Sequence, residues 1–502
     1  MPGDALRAYH GRTKHSLASV RSDPHHLDWD NQPIPFKVYP DLEPIPLPTE
    51  LPGTRRFALD AIAGEPADAP EPVVDLARLA HLLYFSAGVL RRRTYPGGEI
   101  LYRAAACTGA LYHIDLYVAA AELADLPAGL YHFGPHDFAL RRLRSGDHRG
   151  VLVEAAAAPA IATAPVVLVA TSTFWRNAWK YRSRTYRHAY WDAGTLGANL
   201  LAVAAAVSLP AHVILGFVDD RVNRLLDVDP SREAALALIA LGTQAPAPPP
   251  APPLEPLGFA TLPLSAHEID YPLVREAHAA SSLPSADAVR AWRKAGAEPP
   301  APSPSASPDA IPIEPLPASV VAEPVEAVVL RRGSTRRFPR APIPLDRLAT
   351  ILHVATRPVS MDVTAPPDLY VIANAVDGLA AGTYAIDASG RALRRLRPGD
   401  FRRDAGVLDL GQELAADAAA NLYWLVDLER VFARLGDRGY RAAALAAAIA
   451  GGRAYLAAYA LGLGATGLTF FDDDVTAFFS PDAAGKSVLF LVAVGQRGTR
   501  RR

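Results

Sequence analysis

Asp115-Leu116-Tyr117-Val118 returns as Asp368-Leu369-Tyr370-Val371, 253 positions later. Working outward, Gly129-Leu130-Tyr131 returns as Gly382-Thr383-Tyr384 at the same spacing, as do the apolar strands that close at Gly242 and Gly495. Arg184-Thr185-Tyr186-Arg187 matches Arg438-Gly439-Tyr440-Arg441, and Phe217-Val218-Asp219-Asp220 matches Phe471-Asp472-Asp473-Asp474, both at 254. Five matches in register mark two copies of one domain. In each copy the pattern predicts a helix after a Thr-Arg-Arg-Phe motif, strands at Asp115 and Asp368, and a long Ala-rich helix (192–207; 442–461). A strand, a short acidic loop with a helix, and a closing strand follow. Helices and strands of similar weight, without strict alternation, predict an α+β fold.

The register breaks once. Thr54-Arg55-Arg56-Phe57 pairs with Thr335-Arg336-Arg337-Phe338 at 281, so the second copy lacks about 28 residues, the stretch that holds GVLRRRTYPGGEILYRAAACTG in the first. The chain divides into an extended N-terminal arm (1–50), a first domain (51–244), a Pro-rich linker (245–320) and a second domain (321–502). Pro-rich segments favour extended conformations and form no core, although HEIDYPLVREAHAASSL within the linker suits a short docked helix.

With 502 residues, Lys+Arg 51 against Asp+Glu 52 and a formal net charge of -1, the chain has no electrostatic pull on a polyanion, so no nucleic-acid partner is expected. One cysteine, Cys107, excludes a disulfide framework and a Cys-based zinc site. The start has no apolar signal core. The longest apolar stretch, Leu196 to Phe217, is broken at Ser208-Leu209-Pro210 and reads as a buried helix then a strand, so no membrane span and a cytoplasmic location are expected.

Gly462-Leu463-Gly464-Ala465-Thr466-Gly467 satisfies G-x-G-x-x-G, but a helix precedes it and a strand follows, the reverse of a dinucleotide fingerprint, so a glycine helix cap explains it better. Arg331-Arg332-Gly333-Ser334-Thr335-Arg336-Arg337-Phe338 is the strongest anion-binding candidate, with guanidiniums, a hydroxyl and a flexible backbone before a helix; a solvated charge run is the bland reading. Leu51–Phe57 is its weaker counterpart. Lys180-Tyr181, in the cationic run to His188, suits a general base with a lysine pKa lowered by neighbouring arginines; a salt-bridged helix start is the bland reading. The second copy has Gly436-Asp437 instead. Asp219-Asp220 and Asp472-Asp473-Asp474 precede helices and read as caps rather than metal ligands. His25-His26-x-Asp28 reads as solvated, and no metal site is expected. No H-E-x-x-H, nucleophile elbow or Walker loop is present.

Together these residues resemble the nitroreductase superfamily, specifically its SagB-type dehydrogenase branch, which includes the flavin-dependent azoline oxidases. The most specific pieces are Arg332, Ser334, Arg336 and Phe338; Cys107-Thr108-Gly109-Ala110-Leu111-Tyr112, where the family usually has P-S-A-G-A-L-Y; and KYRSRTYRHAYWDAG. The resemblance implies a mainly antiparallel sheet flanked by helices in each half, an intramolecular pseudo-dimer in place of the usual homodimer, and FMN at the interface. It implies one composite site, with Arg332, Gly333, Ser334, Arg336 and the strand Gly467, Leu468, Thr469, Phe470 from the second copy, and Ala106, Cys107, Thr108 from the first. Arg497 and Arg500 add phosphate contacts, and Ala106-Cys107 replaces the family's Pro-Ser pair. Each half retains only one part of a site, so one FMN per chain is expected. Lys180 and Tyr181 match a Lys-Tyr pair that assists proton removal in azoline oxidases. The implied activity is an FMN-dependent oxidoreductase acting on a small molecule or peptide, with NAD(P)H as a possible transient donor. Alternatives are an azoline-to-azole peptide dehydrogenase, and a non-catalytic pseudo-dimer that binds flavin or a partner.

Overall fold

A computed structural model describes all residues except 1–2, 23–24, 66–68, 96–97, 298–309, 388 and 499–502. Residues 298–309 of the Pro-rich linker and Arg500 therefore lie outside the described residues. The first half is built on strands Pro44–Pro46 (β1), Ile114–Ala120 (β2), Gly129–Gly134 (β3), Ala139–Ser145 (β4), Val166–Thr173 (β5), Ala211–Ile214 (β6) and Glu233–Leu241 (β7). They form one antiparallel sheet in the order β1-β4-β3-β2-β5-β7-β6. The second half repeats this with Ile311–Pro312 (β8), Asp368–Ala373 (β9), Gly382–Ile386 (β10), Ala392–Pro398 (β11), Ala420–Val426 (β12), Gly464–Gly467 (β13) and Ser487–Gly495 (β14), in the order β8-β11-β10-β9-β12-β14-β13. The central strands β2, β5 and β7 are buried at every position, their polar members Asp115, Thr171 and Glu233 included.

The two Ala-rich helices run Thr185–Ala206 and Arg438–Ala460 and pack on each other at the centre of the molecule. Small side chains permit the contact. A Cβ on Gly194 would stand 2.4 Å from the Ala448 Cβ, and one on Gly452 would stand 2.6 Å from the Ala198 Cβ. The second helix is long and apolar enough to cross a membrane by composition, and is fully buried in the fold. The G-x-G-x-x-G segment follows its end, with Gly462 at φ +75° and β13 beginning at Gly464, so the reading as a helix stop holds.

The arm departs from the expectation of an extended segment, and the linker carries a second helix besides the docked one expected within 267–283. The arm opens with a helix, Asp4–Arg12, whose Leu6, Tyr9 and His10 are buried. The linker carries two helices, Pro272–Ala280 and Ala286–Ala297, with Val274, His278, Val289 and Trp292 buried. The arm helix and the first linker helix are equivalents. Arg187 donates to the His10 carbonyl and, at 2.9 Å, to Thr13 Oγ1; Arg441 donates to the His278 carbonyl at 2.9 Å and to Ser281 Oγ at 2.8 Å.

The acidic helix starts also differ from the expectation of caps. Asp472 accepts from Arg187 at 2.6 Å and Arg184 at 3.2 Å, and Asp219 accepts from Arg441 at 2.7 Å and from Arg438, so each half's carboxylate grips the other half's helix. Neither helix has a side-chain cap. Burial would raise the Asp219 pKa, but the two guanidiniums overcome it and hold the carboxyl at about 2.

Candidate functional site

The two halves meet around a cavity of about 1700 Å³ lined from both sides. From the second half comes the segment after helix Val325–Arg331. Thr335 donates its N–H to the Ala465 carbonyl at 2.9 Å and shares a hydroxyl contact with Tyr459 at 3.1 Å, while Tyr455 donates to Ser334 Oγ at 2.9 Å. Gly464 admits this segment against β13, since a Cβ there would lie 2.4 Å from Thr335 Oγ1. Arg332 then crosses between halves, donating Nε and Nη2 to the Ala104 carbonyl at 3.0 and 2.8 Å. It is committed to the first half's loop.

That loop is set by the first Ala-rich helix. Asp192 accepts from the Thr108 N–H at 2.9 Å, the Thr108 hydroxyl at 2.7 Å and the Cys107 thiol at 3.0 Å, and its other neighbour is His113 Nε2 at 3.0 Å. Thr195 donates to the Ala106 carbonyl at 2.7 Å. Gly109 sits at φ +62°, where a Cβ would lie 2.8 Å from the Tyr181 hydroxyl, so the loop tip needs glycine both for its backbone and for room. Burial, reinforced by the Asp192 carboxylate, pushes the Cys107 thiol well up and keeps it protonated. Burial and then Asp192 and Cys107 raise the Tyr181 phenol, making it a proton donor rather than a phenolate at neutral pH. Lys180 Nζ stands 5.5 Å over the Tyr181 ring.

Of the residues singled out in the sequence, Lys180, Tyr181, Ala106, Cys107 and Thr108 line this cavity from the first half. Arg332, Gly333, Ser334, Arg336, Gly467, Leu468, Thr469 and Arg497 line it from the second. Phe470 does not. Its side chain is buried against Trp191, 5.8 Å between ring centres, and beneath the Arg184 guanidinium. Arg500 lies outside the described residues. Arg331 is held by Glu323, whereas Arg336, Arg337 and Arg497 have no carboxylate partner among the described residues. The Thr469 hydroxyl is buried with no hydrogen-bond partner. Unpaired guanidiniums, the Ser334 hydroxyl and an unused buried hydroxyl fit a phosphate-bearing cofactor. Asp192 was not singled out as a site residue, although it lies within the KYRSRTYRHAYWDAG stretch that carries the resemblance and is the one acid of the helix Thr185–Ala206. Among the described residues no cluster of metal-ligating side chains occurs. His25 contacts the Trp179 carbonyl at 3.0 Å.

The equivalent position in the other half is filled. β6, the counterpart of β13, pairs with the shortened connection of the second copy. The Val213 N–H reaches the Ser360 carbonyl at 2.9 Å, and the Asp362 N–H the Val213 carbonyl at 3.0 Å. The Asp362 carboxylate accepts from the N–H groups of Leu215 and Gly216, both at 2.9 Å. The linker helix Ala286–Ala297 covers this, with Arg293 bonded to the Ala156 carbonyl at 2.7 Å. In the weaker arginine motif, Arg56 donates to the Ala205 carbonyl at 2.8 Å.

A model of the nitroreductase family matches residues 69–243 and 329–496. A crystal structure assigned as a nitroreductase from Anabaena variabilis superposes with a TM-score of 0.77 at 27% identity, covering 99% of this chain and 100% of that one. A protein of Methanocaldococcus jannaschii assigned as a nitroreductase is 24% identical over 168 residues, 33% of this chain and 80% of its own length. The trifolitoxin-processing protein TfxB of Rhizobium leguminosarum bv. trifolii is 27% identical over 149 residues, 28% of this chain and 40% of its own length.

Proposed function

The chain belongs to the nitroreductase family through both of its halves, and from that premise we propose an FMN-dependent oxidoreductase of the SagB type with one composite flavin site per chain. The observation that carries the reading is the large cavity shared by Arg332–Arg337 of one half and the Ala106–Thr108 loop of the other, beside a counterpart filled by the chain's own Ser360–Asp362. Arg336, Arg497 and Ser334 would hold the phosphate, and Gly467–Thr469 with the Ala106–Thr108 loop would flank the ring. Once bound, FMN supplies the electron-transfer chemistry, and the protein supplies orientation and charge. Lys180 is the candidate acceptor of a substrate proton. Tyr181, held protonated by burial, donates or positions. Trp191 and Phe490 close the inner wall and help exclude water. NAD(P)H or the substrate itself would deliver the electrons.

Release and counting of flavin from the purified protein test this reading. One FMN per chain supports it. Two would show that the filled half still binds, and none after reconstitution would favour a non-catalytic pseudo-dimer. A second reading, azoline-to-azole dehydrogenation of a peptide, is favoured by the partial match to the trifolitoxin-processing protein. It predicts turnover of an azoline-containing peptide with loss of two hydrogens to the flavin.

A further inference from the structure

The segment that only the first copy has folds into a two-stranded ribbon, Val89–Tyr95 paired with Gly98–Arg103, which joins neither main sheet. Ribbons of two strands are marginal on their own. Among the described residues no third strand pairs with either edge, so apart from Arg103, whose N–H goes to the Tyr112 hydroxyl at 3.1 Å and whose carbonyl accepts from Arg332 at 3.3 Å, the edges are open to main-chain pairing in the plane of the sheet. The register sets Arg91 opposite Tyr102 and Arg93 opposite Ile100, which puts all four side chains on one face. Arg91, Arg93 and Tyr102 line the cavity. Tyr95 and Ile100 are exposed at 48% and 38%. Arg91 stacks over Tyr102 at 4.6 Å, while Arg92, on the opposite face, reaches Glu99 at 3.7 Å and the His136 carbonyl at 3.1 Å. Among the described residues neither Arg91 nor Arg93 has a carboxylate partner.

These cations add to an already cationic rim. Lys180, Arg336, Arg337 and Arg497 also line the cavity without a carboxylate partner among the described residues, in a chain whose formal net charge is only -1. One phosphate monoester does not neutralise such a rim. The cavity, about 1700 Å³, also exceeds the roughly 300–1,000 Å³ typical of a small-molecule site.

The geometry points to the ribbon as the docking arm for an extended acidic peptide. The peptide adds as a third strand to the free edge, sets carboxylates against Arg91 and Arg93, and feeds the adjoining residues into the cavity. Strand addition provides affinity through the main chain, and the alternating face provides selection for Asp and Glu beside apolar residues. Because the second copy lacks the ribbon, docking occurs at one end of the pseudo-dimer only. This inference rests on the reading of the cavity as a redox site with a peptide-sized substrate.

The test is fluorescence anisotropy on the full-length protein with a labelled peptide of about ten residues alternating Glu or Asp with Val or Thr. Controls are its Gln/Asn counterpart and a version N-methylated along one edge. The expected result is binding of the acidic peptide tighter than the neutral one by about tenfold or more, weakened by salt and by N-methylation. Arg91→Glu with Arg93→Glu, and the milder Arg91→Gln with Arg93→Gln, should lose that preference while bound flavin, read by absorbance, is unchanged. Equal binding of the acidic and neutral peptides, or binding indifferent to these substitutions, would overturn the inference. So would loss of flavin in the variants or displacement of the peptide by free FMN, since the arginines would then serve the cofactor. Acidic-peptide binding by a protein that takes up no flavin would leave the docking arm standing and remove the redox reading instead.

Discussion

The two ends of this pseudo-dimer use the same strands and the same helix ends, yet one is open and the other closed. At the open end, β13 faces a cavity, and the loop opposite it is held back by Asp192 through Thr108 and Cys107. At the closed end, β6 is occupied by Ser360–Asp362, and the linker helix bearing Trp292 and Arg293 lies over it. The clamps beneath the two ends remain alike, with Asp472 on Arg184 and Arg187, and Asp219 on Arg438 and Arg441. The difference teaches that the form of an end and the interface beneath it are separable. One end is closed by a changed connection and a linker helix, on the same frame that supports both.

The clamps give the largest expected effect. Asp219→Asn and Asp472→Asn should each cost about 3–5 kcal/mol in urea unfolding, because each leaves two buried guanidiniums without their anion. Similar losses would support equal clamps, and a loss at one alone would break the symmetry claimed for them. Folding lowers the Asp219 pKa from 3.8 to about 2, so its stabilisation is complete above about pH 4 and lost as the pH falls towards 2. Asp219→Asn should flatten that acid slope.

Next comes the contrast between the arginine motifs. Arg336→Ala should weaken FMN binding by about 100-fold, on the order of 3 kcal/mol for a charge-assisted phosphate contact, and Arg56→Ala should leave flavin content unchanged. Flavin lost with Arg56→Ala would place cofactor at the closed end. Lys180→Ala should lower kcat by about 100-fold with flavin retained, whereas Arg434→Ala should not alter turnover, since the matching helices Phe174–Tyr181 and Leu428–Leu435 make Arg434, rather than Gly436 or Asp437, the counterpart of Lys180. The smallest effect is expected at the seal. Asp362→Ala leaves the Leu215 and Gly216 N–H groups unpaired and should cost about 1–3 kcal/mol of stability, measured by denaturation, without creating a second flavin site.

Much of this was legible because it is written as recurrence. The five repeated motifs fall on equivalent elements, and the 28-residue difference marks which end keeps its loop. The arm and linker escaped because their likeness is short. Only His10 and Thr13 against His278 and Ser281 carry it, amid proline that reads as unstructured. Asp219 and Asp472 read as caps because an acid before a helix has the same local pattern whether its partner is its own backbone or a guanidinium from the other domain. Phe470 was expected at the cavity by its place on the strand, but its side chain points to the core.

The crossing of the Ala-rich helices also acts as a lock against the wrong partner. Gly194 faces Ala448 one level along and Ala198 faces Gly452 the next, each glycine making room for the other helix's methyl. Two first halves brought together in the same geometry would set Ala198 against Ala198, and two second halves would set Ala448 against Ala448. Those methyls would have to share space that holds only one, while the opposed glycines left a gap. Each half is therefore shaped to prefer its unlike sibling over its own duplicate. That preference is open only to a molecule in which the two partners no longer share one sequence.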